Sequence, residues 1–530
     1  METAITLHSD RLPAGCQNPS ATLPNASSLR CGASTLHACW DGEGRMTALG
    51  GIVYFAEYLR EAGFLDRLLH GSPLRYTSPN APAPADVLGT FLVAVLAGLV
   101  RYEAINTLRG DAICPEALGF RRIVSEDSVR RALLQAAVRE AAWNAWLDSI
   151  QDRLFWRLLE LDYVLDLDNT VKCLYGHQEG AEKGYNPKKP GRPSHNYQTF
   201  VVGRLRLVLG VRVLPGKQHA GRHGAEAAFA FLRRLPRKLW PRFLRGDVSY
   251  GTSPIMDEAE AVNLQYLFKL ARTKRLKRLF GKLCAHGEWH DAGQGWQGCF
   301  QTLKLAGWTH ARRCLFLRRP APVRDAPAAP SAHADQLLLP TFADELLPPD
   351  PDWRPWDFCV LVTDMADLDA TALSQLYRDR GDCENVFDEL KNQWGWCGFT
   401  TRDLARNRIV ARFTAAVYNL WSLYTLLASP DAHREAKTSR PLLLHILGRV
   451  VHSARQTTIH LVSTHALAAA VAAVLTHIHG LLAQLKACAE QLGSDGVWTL
   501  LLALAVRRYW RNSGVDPPPG LPGQLTFAFD

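Results

Sequence analysis

The sequence predicts an α/β fold in which a mixed β-sheet is flanked by two helical regions. Apolar residues recur with helical spacing from about Leu49 to Glu160, and again after residue 400. Between these regions lie β-branched runs at Asp162 to Asp168, Tyr197 to Leu207 and Val208 to Val213. A helix, a strand, a second helix and another strand follow. This order is typical of an α/β sandwich with a mixed sheet.

The length and composition indicate a soluble protein of several structural units. At 530 residues the chain is long enough for three or four units of about 150 residues each. Its longest apolar stretch, Val87 to Val100, is shorter than the roughly 20 residues that cross a bilayer. No basic segment followed by an apolar one begins the chain, so we expect a cytoplasmic location. The cysteines are scattered without a CxxC pair, which argues against a zinc module.

Positive charge is concentrated in three segments that contain no acid. The formal net charge is +10, and the runs are Lys269 to Lys282, Arg233 to Arg245 and the loop Lys183 to Arg192. Such runs are typical of a surface that binds a polyanion such as DNA. An RNA-binding surface or a solvated face would give similar clustering. Lys188, Lys189 and Arg192 in the loop are candidate contacts to nucleic acid.

The first helical region contains one candidate recognition helix. Ser125 or Asp127 can cap a helix that carries Arg130 and Arg131. This helix either enters a DNA groove or is an ordinary surface helix.

A later helix, predicted from near Asp369 or Thr371 to about Lys391, carries a polar stripe. At about 100° per residue, its members fall at roughly 0°, 300°, 340° and 320° for Tyr377, Arg380, Glu384 and Lys391. A carboxylate beside a tyrosine and an arginine suits a metal ligand surrounded by phosphate contacts. A surface helix with i,i+4 ion pairs is the alternative.

Two further acidic positions lie where strands are predicted to end. Asp166 and Asp168 share one side of a strand because side chains alternate, and buried carboxylates there require a partner. Asp247 ends a second strand at a Gly-flanked turn. Ligands of open α/β sheets gather at the carboxyl ends of strands, although a helix cap or a turn is the alternative for each residue.

Three carboxylates in this arrangement can hold two Mg²⁺ or Mn²⁺ ions about 4 Å apart. One ion activates a water or a 3′-hydroxyl, and the other stabilises the leaving oxygen of a phosphodiester. Hard cations need oxygen ligands, so the absence of clustered Cys and His residues is consistent with this chemistry.

The chain resembles the DDE transposases of bacterial insertion sequences, which have a ribonuclease H-like core and the signature Y-x2-R-x3-E-x6-K. Tyr377, Arg380, Glu384 and Lys391 match that spacing. The segments LDLDNTVKCLYGHQEGAEKGYNPKKPGRPSH, RGDVSYG and ENVFDELKNQWGWCGFTT resemble the branch called the thirteen-eighty group. The resemblance covers about residues 40 to 510.

The resemblance implies a role for each motif residue. Asp168, Asp247 and Glu384 would be the catalytic metal ligands, with Asp166 a rival to Asp168. Asn169 stands where serine is more usual. Further implied DNA contacts are Tyr377, Arg380 and Lys391 on phosphates, and Trp394 and Trp396 stacked on a base, with core packing the alternative for at least one of them.

The implied organisation has seven segments: disordered residues 1–30, a helical DNA-binding region at 31–160, the catalytic core at 161–271, a β-rich insertion at 272–356, the last core strand and the Glu-bearing helix at 357–400, a mainly helical region at 401–512 and a tail at 513–530.

The expected activity is metal-dependent cleavage of double-stranded DNA at inverted-repeat ends and transfer of the 3′-hydroxyl to target DNA, by a dimer associated with the bacterial nucleoid. The alternatives are a nuclease without strand transfer and an inactive, transposase-derived DNA-binding protein.

Overall fold

The computed structural model describes residues 27–31, 34–38, 45–186, 189–218, 220–320, 356–429, 433–454, 456–464, 466–487 and 489–513. The predictions of disorder over residues 1–30 and of a tail over residues 513–530 lie almost entirely outside these ranges. Residues 27–31 are described, and they form a strand.

The N-terminal region is helical, as predicted, after three short strands that were not predicted. Its elements are β1 (Ser27–Cys31), β2 (Ser34–Ala38), β3 (Met46–Thr47), α1 (Ile52–Glu61), α2 (Leu65–Leu69), α3 (Pro84–Leu96), α4 (Ile113–Leu118), α5 (Glu126–Val138) and α6 (Glu140–Phe155). The N-cap of α5 is Ser125, whose hydroxyl accepts from the Ser128 N–H at 3.4 Å. Arg130 on α5 is paired with Glu103 at 2.6 Å.

The next part of the chain contains five strands of the central sheet and two helices. They are β4 (Val164–Cys173), β5 (Ser194–Val202), β6 (Leu207–Pro215), α7 (Ala220–Leu232), β7 (Phe243–Gly246), α8 (Ser253–Ala261) and β8 (Gln265–Lys269). Their order in the sheet is β6-β5-β4-β7-β8; β4, β5 and β6 pair antiparallel, whereas β7 and β8 continue parallel to β4. The predicted α/β class with a mixed sheet is confirmed.

The segment predicted as an insertion extends the same sheet. It contains α9 (Lys274–His286), β9 (His290–Asp291), β10 (Gln297–Leu303) and β11 (Arg312–Pro320), and the predicted last core strand is β12 (Trp356–Thr363). β12 pairs antiparallel with both β8 and β11, so nine strands form one sheet that ends at β9. The Pro- and Ala-rich part of the predicted insertion lies outside the described residues.

The remaining elements are α10 (Ala370–Arg378), α11 (Gly381–Asn392), α12 (Leu404–Ala428), α13 (Ala436–Leu443), β13 (Gly448–Ser453), β14 (Gln456–Leu461), α14 (Ala468–Ala487) and α15 (Ala489–Ser513). β13 and β14 form a hairpin, and β13 also pairs with β3 of the N-terminal region. Most of α12 is buried. Its Asn419 side chain bonds both the N–H and the C=O of Val208, at 2.9 and 2.8 Å, and so occupies the outer edge of β6.

One helix in the described part of the chain, α14, is long and apolar enough by length and composition to cross a membrane. Leu475, Ile478 and Leu482 of this helix are buried within the protein.

Candidate active site

Two of the predicted acids lie side by side on neighbouring parallel strands. The last paired residues of β4 and β7 are Leu167 and Gly246, so Asp168 and Asp247 are the next residues on the two strands. Neighbouring strands are about 4.8 Å apart. The sheet register therefore brings together two carboxylates that are 79 positions apart in the chain.

The prediction that both aspartates end their strands holds only for Asp247. The Ser249 N–H donates to Oδ1 of Asp247 at 2.9 Å and the Tyr250 N–H donates to its C=O at 3.0 Å, which forms the turn after β7. β4 instead continues past Asp168 to Cys173, because β5 pairs with it over that length. Asp168 lies where the parallel pairing ends, and within its own strand.

The Asp168 carboxylate is 4% exposed and has two protein partners. Oδ1 accepts from the Asn169 N–H at 2.8 Å, and Oδ2 accepts from the Arg380 guanidinium. Burial raises the pKa of Asp168 to about 7; Arg380 opposes this shift, and the charge of Asp247 adds to it. The positive charge of Arg380 therefore does not fully offset the free-energy cost of burying the ionised carboxylate.

Asp166 is fully buried and is held by an arginine that the sequence analysis did not single out for this role. Arg245, at the end of β7, donates from Nη2 to Oδ2 of Asp166 at 2.8 Å and from Nε to Oδ1. It also donates to the C=O of Leu376 near the end of α10. Asp166 thus has the partner that its position requires, and Arg245, at the end of β7, joins β4 to α10.

The polar stripe lies on two helices, whereas one continuous helix was predicted. α10 ends at Arg378 and α11 begins at Gly381, with Arg380 in the turn between them. The Arg380 N–H bonds the Tyr377 C=O at 3.2 Å, an i to i−3 bond that tightens this turn. Glycine lowers helix propensity, which favours a break beside Gly381.

Glu384 and Arg380 remain neighbours across this break. The Glu384 side chain is 74% exposed, and its Oε1 lies 3.5 Å from Nη1 of Arg380. Because the same guanidinium bonds Asp168, it joins Glu384 to Asp168. Carboxylate oxygens at one end of a sheet are ligands that Mg²⁺ and Mn²⁺ prefer, so these residues fit a divalent cation.

Tyr377 and Lys391 are half-buried. Burial raises the pKa of the Tyr377 hydroxyl well above its usual value, with Arg380 opposing this and Asp247 adding to it. The hydroxyl therefore stays protonated and can donate to an anion. Lys391 follows Glu384 by two turns of α11.

The basic loop presents two cations around an exposed tyrosine. Lys189 Nζ lies 2.5 Å from the Tyr175 hydroxyl, and Arg192 lies 4.9 Å from the centre of the Tyr175 ring. Tyr175 is 68% exposed and was not predicted as a site residue. Lys188, a third predicted contact, lies outside the described residues.

Trp394 and Trp396 are core residues, so the predicted stacking of a base on them is corrected. Both are buried, at 0% and 3% exposure. Their indole N–H groups donate to Oε1 of Glu389 and to the Ala411 C=O, each at 3.2 Å. Neither ring face is open to a base, because the Trp394 indole packs against Tyr418 of α12 and the Trp396 indole packs against Tyr197 of β5.

A second group of potential metal ligands lies outside the predicted site. Oxygen or nitrogen atoms of Asp257, Glu260 and His310 lie within 4.8 Å of one another. The Arg312 guanidinium bonds both acids, at 2.5 Å to Asp257 and 2.7 Å to Glu260. This arginine already supplies the positive charge that a cation would bring.

One cavity in the described part of the chain is also separate from the carboxylates. It has a volume of about 630 Å³ and lies between α6, β6 and α7, with Phe200, Phe231 and Leu239 among its lining residues. None of Asp168, Asp247 and Glu384 lines it. The three carboxylates therefore lie outside this cavity.

Residues 160–420 match the family model described as the transposase DDE domain. This range contains the three carboxylates and the polar stripe. No curated protein matches the chain. Among solved structures, a cryo-EM structure of a piggyBac transposase synaptic complex with hairpin DNA is similar at 10% identity and a TM-score of 0.38, over 91% of this chain and 89% of that one.

Proposed function

We propose that this protein is a DNA transposase in which Asp168, Asp247 and Glu384 form a carboxylate site for divalent cations. The observation that carries the proposal is the adjacency of Asp168 and Asp247 across the β4–β7 pair, with Arg380 joining Glu384 to Asp168. The match of residues 160–420 to the transposase DDE domain supports it.

The cations would be Mg²⁺ or Mn²⁺, two per site, because all three proposed ligands are carboxylates. When bound, such ions supply an activated water or 3′-hydroxyl and stabilise the leaving oxygen of a phosphodiester. Asp168 is suited to this role since its buried charge lacks full compensation within the protein. Asp166 is less suited because Arg245 occupies both of its oxygens.

The remaining residues of the stripe position the phosphodiester. Arg380 carries a permanent charge and Tyr377 a protonated hydroxyl, so both donate hydrogen bonds to phosphate oxygens. Lys391 adds a charge further along α11. Lys189 and Arg192, with Lys188 in the same loop, hold the DNA backbone beyond the cleaved bond.

The proposed reaction is cleavage at the inverted-repeat ends of an insertion sequence, followed by attack of the freed 3′-hydroxyl on target DNA. We propose a cut-and-paste process in bacterial cytoplasm, at the nucleoid. A dimer would hold the two ends together.

The test uses a plasmid that carries the gene with its native flanking DNA, incubated with the protein and Mg²⁺. We expect strand cleavage by the wild type and a loss of at least about a hundredfold for Asp247→Asn and Glu384→Gln, because each removes a charged metal ligand. Asp66→Asn is the control, since Asp66 is an exposed acid on α2 in the N-terminal region, away from the stripe. Normal cleavage by both site variants would overturn the assignment.

A second assay separates the proposal from its alternatives. Pre-cleaved ends are mixed with a target plasmid, and joined products are measured. A transposase joins them, whereas a nuclease of the same fold cleaves without joining. A protein that binds DNA but does neither in Mg²⁺ or Mn²⁺ would be an inactive derivative.

A further inference from the structure

The acid-free run after β8 forms an amphipathic helix, α9, that the proposed active site does not use. Thr273 caps it by accepting from the Leu276 N–H at 3.3 Å. Leu276, Phe280 and Leu283 are buried on one face at helical spacing. The ring of Phe280 stacks on Phe358 of β12 with centroids 4.1 Å apart. The helix is therefore packed firmly on the sheet.

The opposite face of α9 carries a row of exposed cations. Arg275, Arg278 and Lys282 fall at roughly 0°, 300° and 340° around the helix axis, and all three are exposed. Within the described part of the chain, none of the three forms an ion pair with an acid. They span about 10 Å along the helix at 1.5 Å per residue, which corresponds to roughly three phosphates along one DNA strand.

The topology places this row near the carboxyl ends of the parallel strands, where the carboxylates lie. We call this side of the sheet the active-site edge. β8 is parallel to β7 and β4, so its carboxyl end, followed by α9, lies at the edge where Asp247 lies. Leu361 of β12 pairs with Lys269 at the end of β8, and the two strands are antiparallel. Phe358, which contacts α9, precedes Leu361 by three residues and so lies past the end of β8. The helix thus packs against the part of β12 that projects past this edge.

Aromatic side chains around α9 fix the position of the helix on the sheet. Trp289, which follows the helix, lies edge-on to Phe280 at 6.0 Å. The Arg318 guanidinium lies between the rings of Trp289 and Trp356, at 3.9 and 4.4 Å from their centres. A cationic surface on such a rigid support binds a polyanion without ordering a loop.

We propose that Arg275, Arg278 and Lys282 form a docking surface for the phosphate backbone of duplex DNA that passes along the active-site edge. Three features support a nucleic acid over an acidic protein as the binding partner. They are the charge complementarity, the row of cations without acidic partners in the described part of the chain, and the position of this row at the active-site edge. The inference rests on the proposed function for the identity of the DNA, but its binding step is measured without cleavage.

The test measures binding of a fluorescein-labelled duplex of arbitrary sequence, without metal, to the full chain and to the triple variant R275Q/R278Q/K282Q. We expect binding to weaken at least tenfold at moderate salt. The slope of log K against log salt should fall by about 2 to 3, because each lost phosphate contact removes roughly 0.9.

The matched control is R237Q/K238Q/R242Q, which removes the same charge from the opposite edge. These exposed residues precede β7, and Arg237 contacts the Val262 C=O before β8 begins. We expect its slope to change by less than about 1. Equal effects of the two triples, or no effect of the first, would overturn the inference, and unchanged melting temperatures show that both variants are folded. Wild-type cleavage is measured separately, so loss of this surface leaves the proposed chemistry intact.

Discussion

Arg380 donates a hydrogen bond to the Asp168 carboxylate while lying 3.5 Å from Glu384. One guanidinium therefore bridges two of the three proposed metal ligands. A cation and a guanidinium compete for the same oxygen atoms, and their charges repel each other. We therefore expect metal and phosphate binding at this site to be coupled through the position of Arg380.

Replacing Arg380 by glutamine should therefore tighten binding of Mn²⁺ about tenfold, roughly 1.4 kcal/mol, while weakening binding of DNA. Calorimetric titration of the DNA-free protein with Mn²⁺ measures the first effect. Arg378→Gln is the control, because Arg378 contacts Ser374 and Gln375 on its own helix. Unchanged or weaker binding of Mn²⁺ to Arg380→Gln would refute the competition.

The raised pKa of Asp168, about 7, predicts a pH-dependent stability difference from Asp168→Asn. Between about pH 4 and pH 7 the folded protein keeps a proton on Asp168 that the unfolded chain releases, so the free energy of unfolding falls as pH rises. Asparagine removes this dependence. We expect the melting temperature of Asp168→Asn to exceed that of the wild type at pH 8 and to approach it at pH 4.

Thermal melting at several pH values checks this, with Asp66→Asn as the exposed control. Added Mn²⁺ at pH 8 should raise the melting temperature of the wild type and have less effect on Asp168→Asn, because the cation compensates the buried charge. A difference that is constant with pH would contradict the assigned burial of the Asp168 charge.

The Asp166 and Arg245 pair should act on stability rather than on metal binding. Arg245→Met leaves a buried carboxylate without its partner and should cost about 3 to 5 kcal/mol. The double variant Asp166→Leu/Arg245→Met should recover part of that loss, since it buries no charge. Chemical denaturation monitored by circular dichroism measures both.

Binding of Mn²⁺ to that double variant then distinguishes the two aspartates of β4. If Asp168 is the ligand, the folded double variant binds Mn²⁺ within a few fold of the wild type, whereas Asp168→Asn binds it far more weakly. The reverse pattern would identify Asp166 as the ligand.

Trp394 and Tyr175 should respond oppositely to truncation. Trp394→Ala should destabilise the protein by about 3 to 5 kcal/mol, because it empties a core site and removes a hydrogen bond to Glu389. Tyr175→Ala should leave the melting temperature nearly unchanged, since the ring is exposed, but weaken DNA binding through Lys189 and Arg192. A stable Trp394→Ala variant with a DNA-binding defect would restore the stacking role.

The sequence alone determined those features that depend on local spacing and propensity. Alternation and β-branched residues predicted the strands that carry Asp168 and Asp247. Helical periodicity predicted the side shared by Arg380 and Glu384, which lie one turn apart. These patterns are readable because each is set by residues within a few positions of one another.

Only the tertiary structure decided which groups meet. Asp168 lies beside Asp247 because of a strand register between distant segments, and Arg245 rather than a metal partners Asp166. Trp394 and Trp396 are buried because helices from elsewhere in the chain cover them. Periodicity identifies an apolar or polar face but not the element that packs on it, since that depends on long-range packing of the whole chain.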